Sequence, residues 1–310
     1  MGLAPDLNLA YQAACFERAG PSGHTPALLD VLPPSSALPR GALIVEEIVG
    51  RAAVVPHDLT AIVTALARLH RLPLPAKVAH APLTSAADPM CDLLAEIEAQ
   101  AAWLAAAQID PPARRAIDAE IDRYRSLCAQ SPRPPLSLIA FDAHPGNFLM
   151  RDDGRAVLVD LEKCRYSHAS LDLAHATLYT STTWNEAGSA ALGVDEVAGA
   201  YAAWSRAMGP SAAQWRDWHL PLRRAMWLWS ITWCAKWRVA STATSAVTAV
   251  GEDWSAQLSE PALIAHVRCR VDHYLSTAVV EQVLGEIDAL AQALSKRDDQ
   301  ETVMIGQSRP

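Results

Sequence analysis

Short cysteine spacings are absent: six cysteines stand at 15, 91, 128, 164, 234 and 269, with no C-x-x-C pair. A disulfide framework or a zinc knuckle needs such spacings, so the thiols read as reduced and mostly buried small apolar residues. An excess of positive charge is missing as well, since 26 Lys and Arg face 34 Asp and Glu, for a formal charge of −8. Nucleic acid, which calls for a broad basic footprint, is therefore not the expected partner. The most apolar run, 225–235, is fenced by Arg224 and Lys236, far short of the roughly 20 residues that span a bilayer. Met1 to Asp6 carry neither a basic segment nor an apolar core, and Asp6 stands where a myristoylation signal has Ser or Thr. A cytoplasmic protein with no membrane partner is expected. No internal repeat or low-complexity linker divides the chain. What the sequence does have is 51% hydrophobic and 19% charged residues over 310 positions, a balance that excludes general disorder and supports one or two sizeable cores.

Periodicity predicts a helix over 6–19, with Asp6 as N-cap and Gly20-Pro21 as the stop. Strands are expected at 27–32 and 42–49, where β-branched and apolar residues cluster between Pro, Ser and Gly. Leu59, Ile62, Val63, Leu66, Leu69 and His70 recur at helical steps until Pro73 and Pro75. Helices at 89–107 and 111–129 precede the Pro-rich stretch 131–135. Strand signals return at 136–141 and 156–161, the second paired with 148–150 across Arg151-Asp152-Asp153-Gly154. Beyond 170 the pattern is helical, with breaks at 188–193, 209–210 and 241–253 and a polar tail after Lys296.

The densest chemistry lies in Phe141-Asp142-Ala143-His144-Pro145-Gly146-Asn147, followed by Asp160 in Val157-Leu158-Val159-Asp160-Leu161-Glu162. A carboxylate after a strand, an amide oxygen five residues on and a carboxylate at the end of a hairpin can converge on a divalent cation beside a phosphate. Hard oxygen ligands suit Mg2+, which takes one or two protein ligands together with substrate phosphates. Asn147 and Asp160 are the candidate metal ligands, which leaves Asp142 to orient an attacking hydroxyl and accept its proton. Asp142 and Asn147 could instead simply cap a turn. Asp160 argues against that, because a carboxylate closing an apolar strand needs a partner or a metal. A zinc site from His144, His168 and His175 has the wrong spacing, and His175 reads as a packed or hydrogen-bonded histidine. Lys163 and Arg165 could touch phosphate, but a surface turn explains them equally, and they are assigned no role.

These residues resemble the catalytic loop of the aminoglycoside phosphotransferase and choline kinase-like family, His-Gly-Asp-Leu-His-Pro-Gly-Asn. Leu158-Val159-Asp160-Leu161-Glu162 resembles its metal-binding segment, and Leu171-Asp172-Leu173-Ala174 its bracing Asp-Leu-Ala. Residues 42–50 resemble the interlobe hinge and 66–70 the helix after it, so the likeness runs over roughly 6–240 in the family's order. The resemblance implies an α+β, protein kinase-like fold of two lobes. Residues 1–50 would form a curtailed N-lobe with its hinge at 46–50, and 51–310 a mainly helical C-lobe. It implies a phosphotransferase that moves the γ-phosphate of ATP or GTP, with Mg2+, to a hydroxyl of a small molecule. Asp142 would be the base, Asn147 and Asp160 the metal ligands, and Glu47 and Ile48 the hinge backbone offered to the nucleotide base.

Two departures stand out. Ala140 replaces the family's loop-bracing His, and too few residues precede the first helix for a Gly-rich phosphate loop and a strand Lys. Either the chain begins downstream of its full reading frame or that lid is lost. The alternative function is accordingly a pseudokinase or binding module without phosphoryl transfer. Met226, Trp229, Trp233 and Trp237 form a helical stripe that reads as core. One or two of those rings, or Trp184, would line an acceptor pocket by the same resemblance. Arg223, Arg224, Lys236 and Arg238 read as a solvated or salt-bridged face.

Overall fold

The computed structural model describes residues 4–185, 188–241 and 261–307, with side chains to Lys296. The expected breaks at 188–193 and 209–210 fall within these residues, whereas most of the one at 241–253 lies outside them. Helix α1 (Pro5–Ala19) is entered through Ala4 and not, as expected, through Asp6. Pro5 opens it because proline has no N–H to leave unsatisfied, and Asp6 sits in the first turn, where a carboxylate meets the positive end of the helix dipole. The apolar side buries Tyr11, Ala14 and Cys15, and the Tyr11 hydroxyl donates to the Cys164 carbonyl at 2.7 Å.

Strands β1 (Leu28–Leu32) and β2 (Ala42–Val45) form an antiparallel pair with a bulge between Leu28 and Asp30. β2 stops four residues short of expectation, and residues 46–49 run on without sheet pairing. A two-residue strand β3 (Arg51–Ala52) follows, then α2 (Leu59–His70), α3 (Pro89–Ala101) and α4 (Pro111–Cys128). α3 begins where expected because the Asp88 carboxylate accepts from the Met90 and Cys91 amides at 3.1 and 3.3 Å. It ends at Ala101, short of the expected 107.

Next come β4 (Ser137–Ile139), β5 (Phe148–Met150), β6 (Ala156–Leu158) and β7 (Arg165–Ser167). The expected β5–β6 hairpin is present, and β3 adds to its outer side, so the segment after 46–50 shares a sheet with the strand that follows the Asp142–Asn147 loop. Gly50 permits that approach, because a Cβ there would run into the Met150 carbonyl. β4 pairs with β7, a strand without an apolar pattern of its own. The strands expected at 136–141 and 156–161 are thus shorter, having given up Asp142's approach and Asp160 to loops.

The rest is helical: α5 (Ala169–His175), α6 (Tyr179–Thr182), α7 (Val194–Met208), α8 (His219–Ala240), α9 (Pro261–Tyr274) and α10 (Thr277–Gln307). The backbone stays helical to Gln307, beyond the tail expected after Lys296. No helix among the described residues is long and apolar enough to cross a membrane. Arg223 is 2% exposed, unlike the other cations of α8; it donates to the Thr177 hydroxyl and carbonyl at 2.6 and 3.1 Å, just past the end of α5. Arg224 reaches Glu120 and Asp288, and Arg238 reaches Asp272, as a salt-bridged face should.

Two hydrophobic cores meet in this half. One gathers α2, α7 and the β5–β6 hairpin, the other α3, α4, α8, α9 and the start of α10. Helix α5 lies between them: Ala169 and Leu173 join the first core, Leu171 and Ala174 the second. Every α5 residue is buried. Seven residues are too few for a helix that stands alone, so burial holds it, at roughly 1.5–3 kcal/mol for each buried leucine.

His219, 5% exposed, shares a 3.0 Å hydrogen bond with the Ser170 hydroxyl and meets Tyr201 and Trp204 edge-on. Burial pushes its pKa down to about 4. The unfolded chain binds that proton near pH 6.5, so the contribution of His219 to stability is complete above 6.5 and is lost as pH falls toward 4. Urea unfolding of His219→Gln should therefore lose less stability between pH 7.5 and 5.0 than wild type, by on the order of 2 kcal/mol. An equal loss in both would show that the folded protein accepts the proton at His219.

Candidate active site

The loop leaving β4 turns at Phe141, whose φ is +62°. That left-handed conformation is unfavourable for a bulky residue, by about 1–3 kcal/mol, and persists only where its surroundings impose it. The imposing group is Asp172 on α5, with a fully buried side chain. Its Oδ2 accepts from the Ala140 N–H at 2.7 Å and its Oδ1 from the Phe141 N–H at 2.8 Å. The His70 ring, at the end of α2, lies 3.0 Å from Oδ2 through Nε2. Trp204 Nε1, which can only donate, points at His70 Nδ1 at 3.0 Å. The ring proton therefore sits on Nε2, facing Asp172. His70 thus braces Asp172, which in turn holds the Ala140 and Phe141 backbone. The Phe141 ring is fixed from outside by the Arg165 guanidinium, 3.7 Å above its centre, and by the edge of Trp229 at 5.0 Å. Glu96 ties that pair together, accepting from Arg165 at 2.6 Å and from Trp229 at 3.0 Å.

Asp142 follows the strained residue. Its side chain is 17% exposed, and Oδ2 accepts from Lys163 Nζ at 2.9 Å. Oδ1 faces two imidazoles, His175 Nδ1 at 3.8 Å and His144 Nε2 at 4.0 Å, too far for hydrogen bonds. Burial opposes ionisation of Asp142, but Lys163, His175 and His144 outweigh it and hold the carboxyl below its ordinary range. Asp142 is thus a carboxylate with one oxygen committed and one turned to neighbours beyond bonding distance. His175 is buried with Nδ1 lacking a hydrogen-bond partner, and burial pushes its pKa down to about 4. It packs as expected but is not hydrogen-bonded at that atom.

Asn147 closes the loop. Its side-chain amide donates to the Asp142 carbonyl at 2.9 Å, which leaves the amide oxygen as the group available to a cation. The turn reading of this loop is therefore half right: Asn147 caps backbone, whereas no backbone group pairs with the Asp142 carboxylate. Gly146 lies so close to the Asn185 amide that a Cβ would collide with it. Asp160, one residue past the Val159 N–H that bonds the Asn147 carbonyl at 3.0 Å, accepts from the Glu162 N–H at 3.4 Å. Burial first and then the charge of Asp142 raise its pKa. A carboxylate whose ionisation burial disfavours, on a segment bonded to the Asn147 backbone, offers together with the Asn147 amide oxygen hard donors of the kind that could hold Mg2+. No cage of three or more His, Cys, Asp or Glu exists among the described residues, which removes the zinc reading of His144, His168 and His175. His168 instead bonds the Pro135 carbonyl at 2.9 Å.

Glu47 and Ile48 lie in the unpaired run after β2, and among the described residues their backbone groups have no backbone partner. Their neighbour Glu46 is tied to Arg151 in the β5–β6 turn and to the Ala27 N–H. A groove of about 920 Å3 lined by Val49, Gly50, Arg51, Asp58, Met150 and Arg155 is a different place, and none of Asp142, Asn147 or Asp160 lines it.

The sequence pattern of the phosphotransferase enzyme family matches residues 13–237, well over half of the chain. The chain belongs to the phosphotransferase enzyme family. No curated protein sequence matches it. Solved structures do. An aminoglycoside phosphotransferase from Alicyclobacillus acidocaldarius is similar at 14% identity and TM-score 0.56, over 95% of this chain and 85% of its own. A choline/ethanolamine kinase family protein from Mesorhizobium loti is similar at 17% identity and TM-score 0.55, over 91% and 84%. A GDP complex of aminoglycoside 2'-phosphotransferase-IIIa follows at 14% identity and TM-score 0.51, over 95% and 83%. The fold of this phosphotransferase is α+β and protein kinase-like, with a small first lobe and a large helical second one.

The loop after β4 thus sits at the seam of the two cores, with Ala140 and Ala143 in one and Phe141 in the other. The Trp stripe of α8 splits: Met226 and Trp237 are core, as expected, while Trp229 and Trp233 are half-buried, the first against Phe141 and the second 6.0 Å from Trp184. Sequence reasoning missed the link between His70 and Asp172 and the contact of Lys163 with Asp142. No local pattern signals either, because 102 and 21 residues separate the partners.

Asp172→Ala would strand two buried backbone N–H groups, at about 1–3 kcal/mol each. Its urea midpoint should fall by an amount equivalent to roughly 3 kcal/mol or more. A loss under about 1 kcal/mol would show that the strained loop is held by other contacts.

Proposed function

We propose that this phosphotransferase moves the γ-phosphoryl group of ATP or GTP to a hydroxyl of a small molecule. The observation that carries this reading is the division of labour around one loop: Asp142 keeps Oδ1 out of short hydrogen bonds, while Asn147 and Asp160 present oxygens beside it. Structures of similar fold hold GDP in one case and ADP in another, which supports a guanine or adenine nucleotide as donor.

The acceptor hydroxyl binds at Asp142 Oδ1. Its oxygen attacks the γ-phosphorus, a new O–P bond forms as the bond to the bridging oxygen breaks, the nucleoside diphosphate leaves, and the hydroxyl proton passes to Asp142. Lys163 on Oδ2 fixes the carboxylate plane, and the Asp172 brace fixes the backbone that aims it. Asn147 and Asp160 would hold Mg2+, whose charge would offset that of the transferring group. Residues 1–50 serve as a curtailed N-lobe and hinge, where the backbone of Glu47 and Ile48 receives the nucleotide base, and residues 51–310 carry the catalytic loop and acceptor pocket. Six unpaired cysteines suit a cytoplasmic protein. The partner is a small-molecule hydroxyl compound, with neither nucleic acid nor membrane involved.

A panel of hydroxyl compounds, aminoglycosides and choline-like amino alcohols included, can be screened by phosphorus NMR for nucleotide-dependent phosphate esters. Asp142→Asn keeps the shape of the side chain and removes the proton acceptor, so turnover on any acceptor found should drop by roughly 10²- to 10⁴-fold with the melting temperature nearly unchanged. Turnover within about threefold of wild type would remove Asp142 from the base role.

A further inference from the structure

The chain has four lysines, at 77, 163, 236 and 296, and one of them touches the proposed base. We infer that Lys163 binds the phosphoryl group in transit, contacting the γ-phosphate of the bound nucleotide; the inference rests on the phosphotransfer reading above.

Three observations carry it. First, position: Lys163 Nζ lies 2.9 Å from Asp142 Oδ2, its side chain 22% exposed, so the ammonium sits at the mouth of the reacting volume and not out in solvent. In a productive complex the acceptor oxygen and phosphorus are about 3–3.5 Å apart, which puts the equatorial phosphoryl oxygens and the base in one small space. A flexible four-carbon stem with three donors can hold the carboxylate and reach those oxygens.

Second, a cation is a costly neighbour for a general base alone. It weakens proton affinity, and the nearby imidazoles already face Oδ1. The arrangement makes chemical sense when the ammonium must also offset the charge of a phosphoryl group arriving beside Asp142, the term on which phosphoryl transfer most depends.

Third, neighbouring elements offer little in its place. Strands β1 and β2, Leu28–Leu32 and Ala42–Val45, hold neither Lys nor Arg, and the Arg165 guanidinium is occupied by Glu96 and Phe141. Lys163 rides on the loop that carries Asp160, three residues before it. That loop is pinned by the Cys164 N–H to the Leu161 carbonyl at 3.0 Å and by the Tyr11 hydroxyl on the Cys164 carbonyl. One short segment would then deliver both a metal ligand and a phosphate-binding cation.

The test is titration calorimetry of the full chain with the Mg2+ complexes of ATP and ADP, and of GTP and GDP, for wild type, Lys163→Met and Lys163→Arg. Loss of the ammonium should weaken triphosphate binding at least tenfold while diphosphate binding stays within threefold, and Lys163→Arg should keep most of the difference. Should Lys163→Met fail to fold by circular dichroism, Lys163→Gln, neutral and polar, takes its place with the same expectation. Equal weakening of both nucleotides, or no weakening of either, would overturn the role of Lys163 and leave the phosphotransfer reading standing. Wild-type protein that binds no nucleotide at all would overturn that reading and this inference together.

Discussion

Asp172 accepts hydrogen bonds from the Ala140 and Phe141 backbone and faces the His70 ring from a position without solvent contact. Three elements far apart in sequence, α2, the loop after β4, and α5, are drawn to that one carboxylate. The left-handed Phe141 sits inside this set of bonds, with its N–H held by Asp172 Oδ1. A buried acid that satisfies three donors is expensive to disturb, because removing it leaves each donor unpaired in a low-dielectric interior. The direction in which Asp142 leaves the loop is therefore set by the interior of the protein, before any substrate contact.

The setting of that carboxylate explains its rigidity. Helix α5 has solvent on no side; it is the layer between two cores, and its short length means that packing on both faces decides its position. Charge is distributed with the same economy around the loop. The Lys163 ammonium holds Asp142 in its basic form against burial, while at Asp160 burial and the charge of Asp142 outweigh Lys163 and the Glu162 N–H and raise the pKa. Two carboxylates in one site, pushed in opposite directions, imply two tasks.

Much of this was legible in the sequence. The β5–β6 hairpin follows from apolar runs around Arg151-Asp152-Asp153-Gly154, α2 from its helical period and proline stop, and Asp142, Asn147 and Asp160 from donor types at a spacing that one loop and one hairpin can bring together. What escaped was non-local. β3 and β7 have no apolar alternation because they exist through pairing with β5 and β4. The burial of Arg223 could not be read from a helix whose other cations do face outward. Asp6 looked like an N-cap, yet Pro5 took the first helical position and moved the cap to Ala4. His70 read as the end of a helix, and its second role, holding Asp172, depends on a residue 102 positions away.

In the proposed reaction Asn147 and Asp160 form half of a cation site completed by nucleotide phosphates. Calorimetric titration of Mg2+ into the protein, with and without a non-hydrolysable nucleoside triphosphate, tests it most directly, on wild type and on Asp160→Ala. Two protein oxygens leave Mg2+ largely hydrated, so binding should be weak alone, at least tenfold tighter with the nucleotide, and lost in Asp160→Ala under both conditions. Mg2+ binding that is indifferent to nucleotide, or that survives Asp160→Ala unchanged, would contradict the account.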